Sequence, residues 1–379
     1  MRLFYISEFN LPSNRANSIH VFKMLNSFAK KKIDSTLLIP FSKKNINKNN
    51  LKKFYGIKNL RYIKILSFFR SLSNFNFIYR IIFGFKISLF IKDKAEDKVI
   101  ITRSIISSFF LSLFKIYHFL ELHSELKGLT KLIFINFSFI RSKYIVNIIF
   151  ITKELSKFYK NHVDKSLILP DGVDFERFNA FRKKIKKIKK ITYTGSFYRG
   201  RGIEKIIKIS KELPDLDFYV YGRRNEIFSN LPKNLKIYNF IKHSEIPKIL
   251  IQSDILLMPY SKNIYLSSFK NDQDISRFTS PLKMFEYLAS GTPIISSDLK
   301  VLREILVNNK NCILIKNYEN INEWKKKILY LKKNKKLMAK ISFNAKKTAK
   351  KYSWDYRVEK YLNEYYKFKY KKNFFPQKS

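Results

Sequence analysis

The chain has 379 residues, of which 45% are hydrophobic and 16% aromatic, and its formal net charge is +47. This length and composition predict two folded domains with separate cores, and they exclude a disordered chain. The single cysteine, Cys312, excludes an intramolecular disulfide and a metal cluster held by thiolates. It lies in the apolar stretch NCILI, where we expect a small buried side chain.

The positive charge is spread along the whole chain and forms no single basic segment. Lys, Ile, Asn and Phe are abundant while Ala and Gly are scarce, which is the bias that AT-rich coding produces. No zinc-finger spacing, RNP motif or basic leucine zipper is present. We therefore expect no specific nucleic-acid partner, and an anionic membrane surface is the better use of this charge.

The chain shows neither a signal peptide nor a membrane span. Met1 leads directly into the apolar run LFYI, without a basic segment before it. The longest uncharged apolar stretch, residues 104–114, is too short to cross a bilayer. These features predict a cytoplasmic protein that does not span the membrane.

The first half alternates predicted strands and helices. MRLFYIS predicts a buried strand, an amphipathic helix follows from about Ile19 to Lys32, and STLLIP predicts the next strand. This order implies a right-handed parallel crossover. Three further parallel strands end in polar residues, where ligands of doubly wound sheets bind: KVIITR (98–103), FLELHS (119–124) and NIIFIT (147–152).

Residues 43–94 mix Lys and Arg with many aromatic side chains. They allow two interpretations: a pair of core helices, or a helix that presses Phe and Tyr into a membrane interface. The aromatic residues concerned are Tyr62, Phe68, Phe69, Phe75, Phe77, Tyr79, Phe83 and Phe85.

A second unit begins near LILPDGVD (167–174), and residues 177–190 have the polar composition of a surface linker. The alternation then restarts with KKITYTG, a helix from about Gly202 to Leu213, DFYVYG, LKIYNF and DILLMPY. We predict an N-terminal domain over 1–168 and a second domain over 169–351. Residues 352–379 form a helix that returns to the first domain, plus a basic tail.

The stretch SPLKMFEYLASGTPII predicts a helix over about 280–290 that binds a ligand. Ser280 is a suitable N-cap, Pro281 suits the first helical position, and Gly291 supplies the left-handed stop. Glu286 lies on the same side as the apolar residues, so its carboxylate needs a partner. That partner is either a neighbouring side chain or a ligand.

Taken in order along the chain, these segments resemble the GT-B glycosyltransferases of family four, which are retaining enzymes that use nucleotide sugars. The matching segments are ANSIHVFKML, LELHSE, LPDGVDFERF, YTGSFYRGRGIE, DILLMPY, SPLKMFEYLASGTPIISSDL and the final YSW helix. The resemblance implies an α/β fold with two Rossmann-like doubly wound domains and an interdomain cleft. It also implies that 1–168 is the acceptor-side domain and 169–351 the nucleotide-sugar domain, which holds most of the donor site. No bound metal and no cofactor are expected.

Three positions carry the catalytic roles that the resemblance implies. Glu286 accepts hydrogen bonds from the nucleotide ribose, and Arg201 replaces the lysine that neutralises the donor diphosphate. His123 reaches the donor sugar from the first domain, whereas Glu121 in the same strand is structural. An arginine suits a phosphate because its planar group binds in a bidentate way.

The remaining substrate-binding positions follow from the same resemblance. The first turn of the 280–290 helix offers amides to the diphosphate, and Asn17 and Ser18 lie in a loop, RANS, where many relatives have paired glycines. The positions concerned are Asn17, Ser18, Gly195, Ser196, Arg199, Asp274, Ser276, Ser280, Leu282 and Lys283.

Two positions depart from the family pattern. Phe278 stands where a second glutamate usually contacts the donor sugar, and Ser196 replaces a common arginine. Arg199 is close enough to replace that arginine, and Asp274 with Ser276 is a candidate for the missing carboxylate. The Phe278 departure leaves the identity of the donor sugar open.

The triplets DLD (215–217) and DQD (272–274) fit the D-x-D pattern with which GT-A transferases hold a divalent metal. Such triplets are common by chance, and neither requires a metal. We therefore predict a metal-independent transferase of the hexosyltransferase type. Walker, G-x-S-x-G and H-E-x-x-H patterns are absent.

The resemblance thus implies a retaining glycosyltransferase that moves a sugar from a UDP-sugar, GDP-sugar or similar donor to a glycan or lipid-linked acceptor. The expected pathway is the synthesis of lipopolysaccharide or another envelope polysaccharide. The alternative is an inactive basic scaffold of the same fold that binds sugar or nucleic acid. A peripheral position on the inner face of the cytoplasmic membrane is a separate hypothesis, based on residues 43–94 and 367–378.

Overall fold

The structure is a computed structural model that describes residues 1–13, 15–43, 47–69, 76–94, 97–179, 188–222, 228, 230–239, 241–265 and 274–374. The chain forms two compact units. The first contains Met1–Pro170 and Trp354–Ser379, and the second contains Asp171–Ser353. The units therefore meet at 170/171 and 353/354, whereas the predicted boundaries were 168/169 and 351/352.

Each unit is built on a sheet whose strands all run parallel. The first sheet has the order β3-β2-β1-β4-β5-β6-β7, and the second has the order β10-β9-β8-β11-β12-β13. The strands are β1 (Arg2–Ile6), β2 (Asp34–Phe41), β3 (Ile63–Phe69), β4 (Lys98–Thr102), β5 (His118–Leu122), β6 (Ile145–Phe150), β7 (Ser166–Ile168), β8 (Lys190–Thr194), β9 (Asp217–Tyr221), β10 (Leu235–Tyr238), β11 (Ile255–Met258), β12 (Ile294–Ser297) and β13 (Ile313–Ile315).

Helices alternate with these strands. In chain order they are α1 (Ala16–Lys30), α2 (Lys48–Tyr55), α3 (Phe77–Lys92), α4 (Ile105–Leu113), α5 (Gly128–Lys131), α6 (Lys153–Phe158), α7 (Ile203–Glu212), α8 (Ile246–Ile251), α9 (Leu282–Ser290), α10 (Ile321–Lys333), α11 (Lys335–Lys350) and α12 (Trp354–Phe374). Short 3-10 turns occur at Leu60–Tyr62, Phe139–Arg141, Phe175–Phe178 and Leu302–Glu304, and a π-helical turn occurs at Leu132–Asn136.

The strand order reverses once in each sheet, between β1 and β4 and between β8 and β11. In doubly wound sheets, the loops at the carboxyl ends of the two strands diverge at such a reversal and leave a crevice for a ligand. The segments that follow β1, β4, β8 and β11 are therefore the first places to look for a site. The predicted α/β fold with two Rossmann-like doubly wound units is confirmed.

The predicted strands of both units are present, but the described part of residues 43–94 is not simply a pair of core helices. They form α2, β3 and α3, and β3 pairs with β2 along the edge of the first sheet. The segment IKILSFF contains β-branched and aromatic residues that suit a strand. Its aromatic content was misread as a helical face because a short apolar run has no decisive period.

Two further predictions need correction. The residues Ala16, Asn17 and Ser18 form the first turn of α1 and not a loop. Residues 177–179 are not surface linker, since Phe178 is buried and Arg177 bonds to a buried histidine. Residues 188–190 are not surface linker either, since Ile188 is buried and Lys190 begins β8. Residues 180–187 of the predicted linker lie outside the described residues.

Among the described residues, the helices are too short or too polar to cross a lipid bilayer.

His118 begins β5 and is buried in the first unit. Its Nδ1 lies 2.9 Å from the carbonyl oxygen of Ile116, and its Nε2 lies 2.7 Å from Oγ of Ser108. A carbonyl only accepts hydrogen bonds, so Nδ1 carries the proton and Nε2 accepts from the hydroxyl. Burial lowers the pKa of His118 to about 4.

This lowered pKa predicts a loss of stability in mild acid. In the unfolded chain His118 binds a proton near pH 6.5, whereas in the folded protein it stays neutral down to about pH 4. The free energy of unfolding should be highest above pH 6.5 and should fall by up to about 3 kcal/mol as the pH drops toward 4. Thermal melting between pH 7.5 and 4.5 measures this, and His118→Asn should flatten the profile. Equal slopes for the two proteins would contradict the prediction.

Candidate functional site

The strongest candidate site in the second unit lies at the reversal point of its sheet. Gly195 directly follows β8, and Tyr260 comes two residues after the end of β11. The Lys283 side chain reaches between them: its Nζ lies 3.8 Å from the centre of the Tyr193 ring and 4.8 Å from that of Tyr260. A side-chain carbon at Gly195 would come within 3.1 Å of that nitrogen. The lysine therefore occupies the space that the glycine leaves.

Two glycines hold Arg201 at the same place. Gly200 and Gly202 have φ values of +81° and +85°, and a Cβ at either position would lie 1.9 Å from the carbonyl oxygen of Asn263 or Pro259. Only glycine accepts both this backbone geometry and this close contact. The loop is thus pressed against the segment after β11. As a result, the Arg201 guanidinium lies 5.4 Å from the centre of the Tyr260 ring.

The cationic groups of Lys283 and Arg201 are only partly satisfied. Arg201 donates to the Tyr260 hydroxyl at 3.4 Å and to the Tyr265 carbonyl at 3.3 Å. Among the described residues, its Nε and the Nζ of Lys283 are sealed from solvent and have no hydrogen-bond partner. Burial, with a further contribution from Arg201, holds the pKa of Lys283 well below its usual range. Two half-buried cationic side chains with open donors fit an anion that carries several oxygens.

The start of α9 adds to this anion site. The helix begins at Leu282, with Pro281 as its N-cap, so Ser280 is not the N-cap and Pro281 is not the first helical residue. Ser280 instead accepts a hydrogen bond from the Asp171 amide at 3.3 Å. No side chain caps the helix, and its first turn contains no acidic residue. The first-turn amides at Leu282 and Lys283 therefore favour an anion next to the lysine.

Tyr287 fixes α9 against the end of β8. Its hydroxyl accepts a hydrogen bond from the Thr194 amide at 2.8 Å, in the buried interior of the unit. Burial raises the pKa of Tyr287, so the hydroxyl stays protonated. This bond keeps the first turn of α9 beside Gly195.

Glu286 lies one turn after Lys283 on α9 and is buried, as its apolar neighbours in the sequence predicted. Its Oε1 lies 2.6 Å from Nε2 of His243. Arg177 is 2.9 Å from Nδ1 of the same histidine and also donates to its carbonyl oxygen. An arginine can only donate, so Nδ1 must accept and Nε2 carries the proton that Glu286 accepts. A chain of hydrogen bonds, which we call the relay, thus runs from Arg177 through His243 to Glu286 and fixes the carboxylate.

Neither His243 nor Arg177 was predicted from the sequence. His243 lies in IKHSEIP, a loop without a recognisable motif, and Arg177 lies in the stretch interpreted as linker. The expected burial of the Glu286 carboxylate was the one available signal. It showed that a partner was needed, but it did not show where the partner was.

The other predicted residues of the second unit have local roles in the structure. The Ser196 carbonyl accepts a hydrogen bond from Tyr193, and the exposed Arg199 stacks on the Tyr265 ring at 3.7 Å. Asp274 accepts bonds from the amides of Ile264 and Ser276 and from the Ser276 hydroxyl. Its carboxylate therefore ties its own loop together.

Phe278 is buried and offers no hydrogen-bond acceptor in its side chain. Asp272, the first residue of DQD, lies outside the described residues. The DLD triplet stands at the amino end of β9, away from the carboxyl ends where the anion site lies.

In the first unit, Asn17 lies beside the reversal point between β1 and β4. Ser7, which follows β1, donates to the Asn17 side chain at 3.4 Å, and Arg103, which follows β4, donates to its carbonyl at 3.5 Å. Ser18 is buried, and its hydroxyl donates to the carbonyl of Arg15 at 2.8 Å. Ser18 therefore closes the first turn of α1.

His123 follows β5 and is held by Glu121. Its Nε2 lies 2.5 Å from Oε1 of the fully buried carboxylate, and 24% of its side chain is exposed. Burial, followed by the charge of Arg103, lowers the pKa of His123 to about 4. The imidazole is therefore neutral at pH 7, with Nε2 donating to Glu121 and Nδ1 left as the acceptor.

Glu121 is a structural hub, as the sequence predicted. Burial alone would raise its pKa, but Arg357, His20 and the bond to His123 together hold it well below the usual range. Arg357 is 2.9 Å from Oε2, and the Tyr361 hydroxyl donates to the same oxygen at 2.6 Å. Both partners come from α12, which therefore packs back onto the first unit.

His20, Glu121 and His123 place one ligand atom each within 4.8 Å of one another, which resembles a metal site. The chemistry of the cluster argues against a divalent cation. Arg357 already pairs with the carboxylate, and Arg103 approaches it to 3.8 Å. A metal ion would have to displace or repel both cations.

Comparison with known proteins agrees with this architecture. Residues 174–348, almost the whole of the second unit, match the family described as Glycosyl transferases group 1. A comparison with curated sequences gives no match.

Solved structures match along nearly the whole chain. HepE of Anabaena, in complex with UDP and glucose, has 10% identity and a TM-score of 0.69, and the match covers 97% of this chain and 99% of that one. TarM of S. aureus, with fondaparinux, alpha-GlcNAc-glycerol and UDP, has 14% identity and a TM-score of 0.70, with 96% and 100% covered. The lipopolysaccharide outer core galactosyltransferase WaaB has 12% identity and a TM-score of 0.67, with 97% and 100% covered.

The fold is GT-B. At these identities the likeness establishes the fold and not a substrate.

The unsatisfied lysine leads to a prediction in which stability and binding change in opposite directions. Lys283→Met removes a buried ammonium group but keeps most of its volume, so the free protein should become more stable by about 1–3 kcal/mol. The variant should at the same time lose the thermal stabilisation that pyrophosphate gives to the wild type. Melting curves with and without pyrophosphate test both effects.

The matched control is Lys336→Met, which makes the same change on the exposed side of α11. It should alter neither quantity. A destabilised Lys283→Met variant that still responds to pyrophosphate would show that this lysine is structural.

Proposed function

We propose that this protein is a glycosyltransferase that moves a sugar from a nucleoside diphosphate donor to a glycan or lipid-linked acceptor. The observation that carries the proposal is the pair of half-buried cationic side chains, Lys283 and Arg201, whose Nζ and Nε atoms are sealed from solvent and unbonded beside the uncapped start of α9. The match of residues 174–348 to Glycosyl transferases group 1 and the GT-B fold support it. UDP is present in the HepE and TarM complexes, which makes a UDP-sugar the first donor to test.

The reaction needs cations at this position. As the bond between the sugar and the diphosphate breaks, negative charge grows on the leaving phosphate and positive charge develops on the sugar ring. Lys283 and Arg201 are already in place and already desolvated, so they stabilise the leaving group without reorganisation. Because the charge on that oxygen increases as the bond breaks, they stabilise the transition state more than the bound donor.

Lys283 also accounts for the Ser196 departure from the family pattern. The ammonium lies against Gly195, the residue before Ser196, and so brings a cation to the end of β8. We infer that the lysine from α9 replaces the missing arginine. Arg199 is a weaker candidate, because its guanidinium is exposed and stacked on Tyr265.

Glu286 is the proposed anchor for the ribose. His243 donates to Oε1, which fixes the carboxylate and leaves Oε2 to accept from ribose hydroxyls. His123 is the proposed contact to the donor sugar, with Nδ1 accepting from a hydroxyl while Glu121 holds Nε2. Glu121 and His243 are positioning residues in this scheme, since each acts through its neighbour.

The finer assignments rest on the family resemblance. We infer family four membership, retention at the anomeric carbon, a reaction without a metal ion, and a cytoplasmic role in envelope polysaccharide synthesis. The fold likeness to WaaB and TarM is compatible with such a pathway. The alternative is an inactive basic scaffold of the same fold that binds sugar or nucleic acid, and the Phe278 and Ser196 departures are compatible with it.

A donor panel distinguishes the enzyme from the scaffold. Incubation with UDP-, GDP- and other nucleotide sugars should release free nucleotide from at least one donor, at a rate that EDTA leaves unchanged. Glu286→Gln should reduce the rate at least tenfold while the melting temperature stays close to that of the wild type. Binding of a donor without its turnover, whichever acceptor preparation is added, would favour the scaffold. A rate that EDTA lowers would refute the metal-free reaction.

The relay predicts that His243 sets the affinity for ribose through Glu286. The wild type should bind a nucleoside diphosphate about tenfold or more tightly than its 2′,3′-dideoxy analogue, because a charged acceptor strengthens each hydrogen bond. His243→Ala and Glu286→Gln should each remove most of this preference, and the double variant should lose no more than either alone. Calorimetric titration of the four proteins measures it. Additive losses would show that the two residues act separately.

A further inference from the structure

Helix α3 exposes an apolar stripe on its outer side. Ile78, Ile82, Phe85 and Leu89 are all exposed, Ile78 by 64%, and their spacing places them on one face of the helix. The opposite side carries Phe83, Ile87 and Ile91, which are buried in the core with residues of β1 and β4. A helix that is apolar on both sides normally lies inside a protein, so the outer stripe needs a partner.

The stripe continues onto neighbouring segments of the first unit. The Phe85 ring lies 5.8 Å from Phe110 and 5.7 Å from Phe114, at the end of α4. Phe109 on α4 in turn lies 4.7 Å from Phe139, beside the π-helical turn. We call the exposed side of residues 77–92, 105–115 and 127–141 the apolar face. Its other exposed members are Phe77, Tyr79, Ile81, Leu113, Leu129, Leu132 and Phe137, the last exposed by 74%.

The charges on these three segments all have one sign. The segments contain seven Lys or Arg residues and no Asp or Glu, although the whole chain has 29 acidic residues. Lys92 extends over the Phe114 ring at 5.9 Å, and Lys86 extends over the Phe69 ring at 5.5 Å. Phe114 and Phe69 are half-buried, and long cationic side chains that lie over aromatic rings at a surface are typical of interfacial helices.

We propose that the apolar face docks the first unit on a bilayer that contains anionic phospholipids. The exposed side chains enter the region between headgroups and acyl chains, while Lys86, Lys92, Lys127 and Lys131 meet the lipid phosphates. A second copy of the chain is a poorer partner, because pairing two such faces brings like charges together without an acidic residue in any of the three segments. This inference does not depend on the transferase activity. It keeps residues 77–92 of the region 43–94 that the sequence suggested, and adds residues 105–115 and 127–141 to the membrane-binding surface.

Flotation with lipid vesicles tests the proposal. The full chain should float with mixed phosphatidylcholine–phosphatidylglycerol vesicles, and the floated fraction should fall at high salt. With phosphatidylcholine vesicles alone, the protein should remain at the bottom of the gradient. The double variant Ile78→Glu/Ile82→Glu should reduce the bound fraction at least tenfold. Removing lysines, as in Lys86→Gln/Lys131→Gln, should reduce the affinity about fivefold per residue.

Phe343→Glu is the matched control, because Phe343 is 69% exposed but belongs to α11 in the second unit. It should bind vesicles as the wild type does, and equal melting temperatures should show that all variants are folded. The proposal is overturned by absent or equal binding to both vesicle types, or by an equal loss in Phe343→Glu. Two other results would also overturn it. One is a dimer in light scattering that Ile78→Glu/Ile82→Glu converts to a monomer, with no binding to vesicles. The other is binding of this face to acidic proteins without any binding to vesicles.

Discussion

One unbalanced charge determines the chemistry of the second unit. Lys283 places its ammonium group in a solvent-free position where two aromatic rings and Arg201 are its neighbours, and no described carboxylate neutralises it. Such an arrangement is unfavourable in the free protein, because a buried cation without a hydrogen-bonding partner loses its hydration. The fold tolerates it because β8, β11 and α9 are held together by packing and by the bond between Tyr287 and Thr194. A bound polyanion would supply the missing partner.

The buried carboxylates of the two units show the contrast between structure and function. Glu121 is surrounded by Arg357, Tyr361, His20 and His123, so its charge is fully compensated and its main effect is to fix its neighbours. Glu286 has one neutral histidine donor, and this leaves capacity to accept further hydrogen bonds. A carboxylate with spare capacity next to unsatisfied cations fits a site for a ligand that has both hydroxyls and phosphates. A fully compensated carboxylate fits the interior of a domain.

The surface of the first unit also carries groups that lack a partner, but here they are exposed apolar side chains, and each is less unfavourable than a buried charge. Isolated exposed apolar side chains, such as Phe343 on α11, are normal on a soluble protein. The apolar face differs because its members are contiguous across α3, α4 and the π-helical turn, and because acidic residues are missing from all three segments. Contiguity and charge of one sign together indicate a partner, whereas neither does so alone.

The sequence by itself determined the alternation of strands and helices, the two doubly wound units and the position of α9, because apolar periodicity and glycine or proline stops are local signals. It also showed that Glu286 needs a partner. Only the tertiary structure identified that partner as His243, 43 residues away along the chain. Likewise, only the folded chain brought Lys283 against Gly195 and Arg201, since the sheet reversal that joins them depends on the pairing of β8 with β11 and not on any local pattern. The same reason explains why β3 was missed: an edge strand is defined by the neighbour with which it pairs, and its own residues do not name that neighbour.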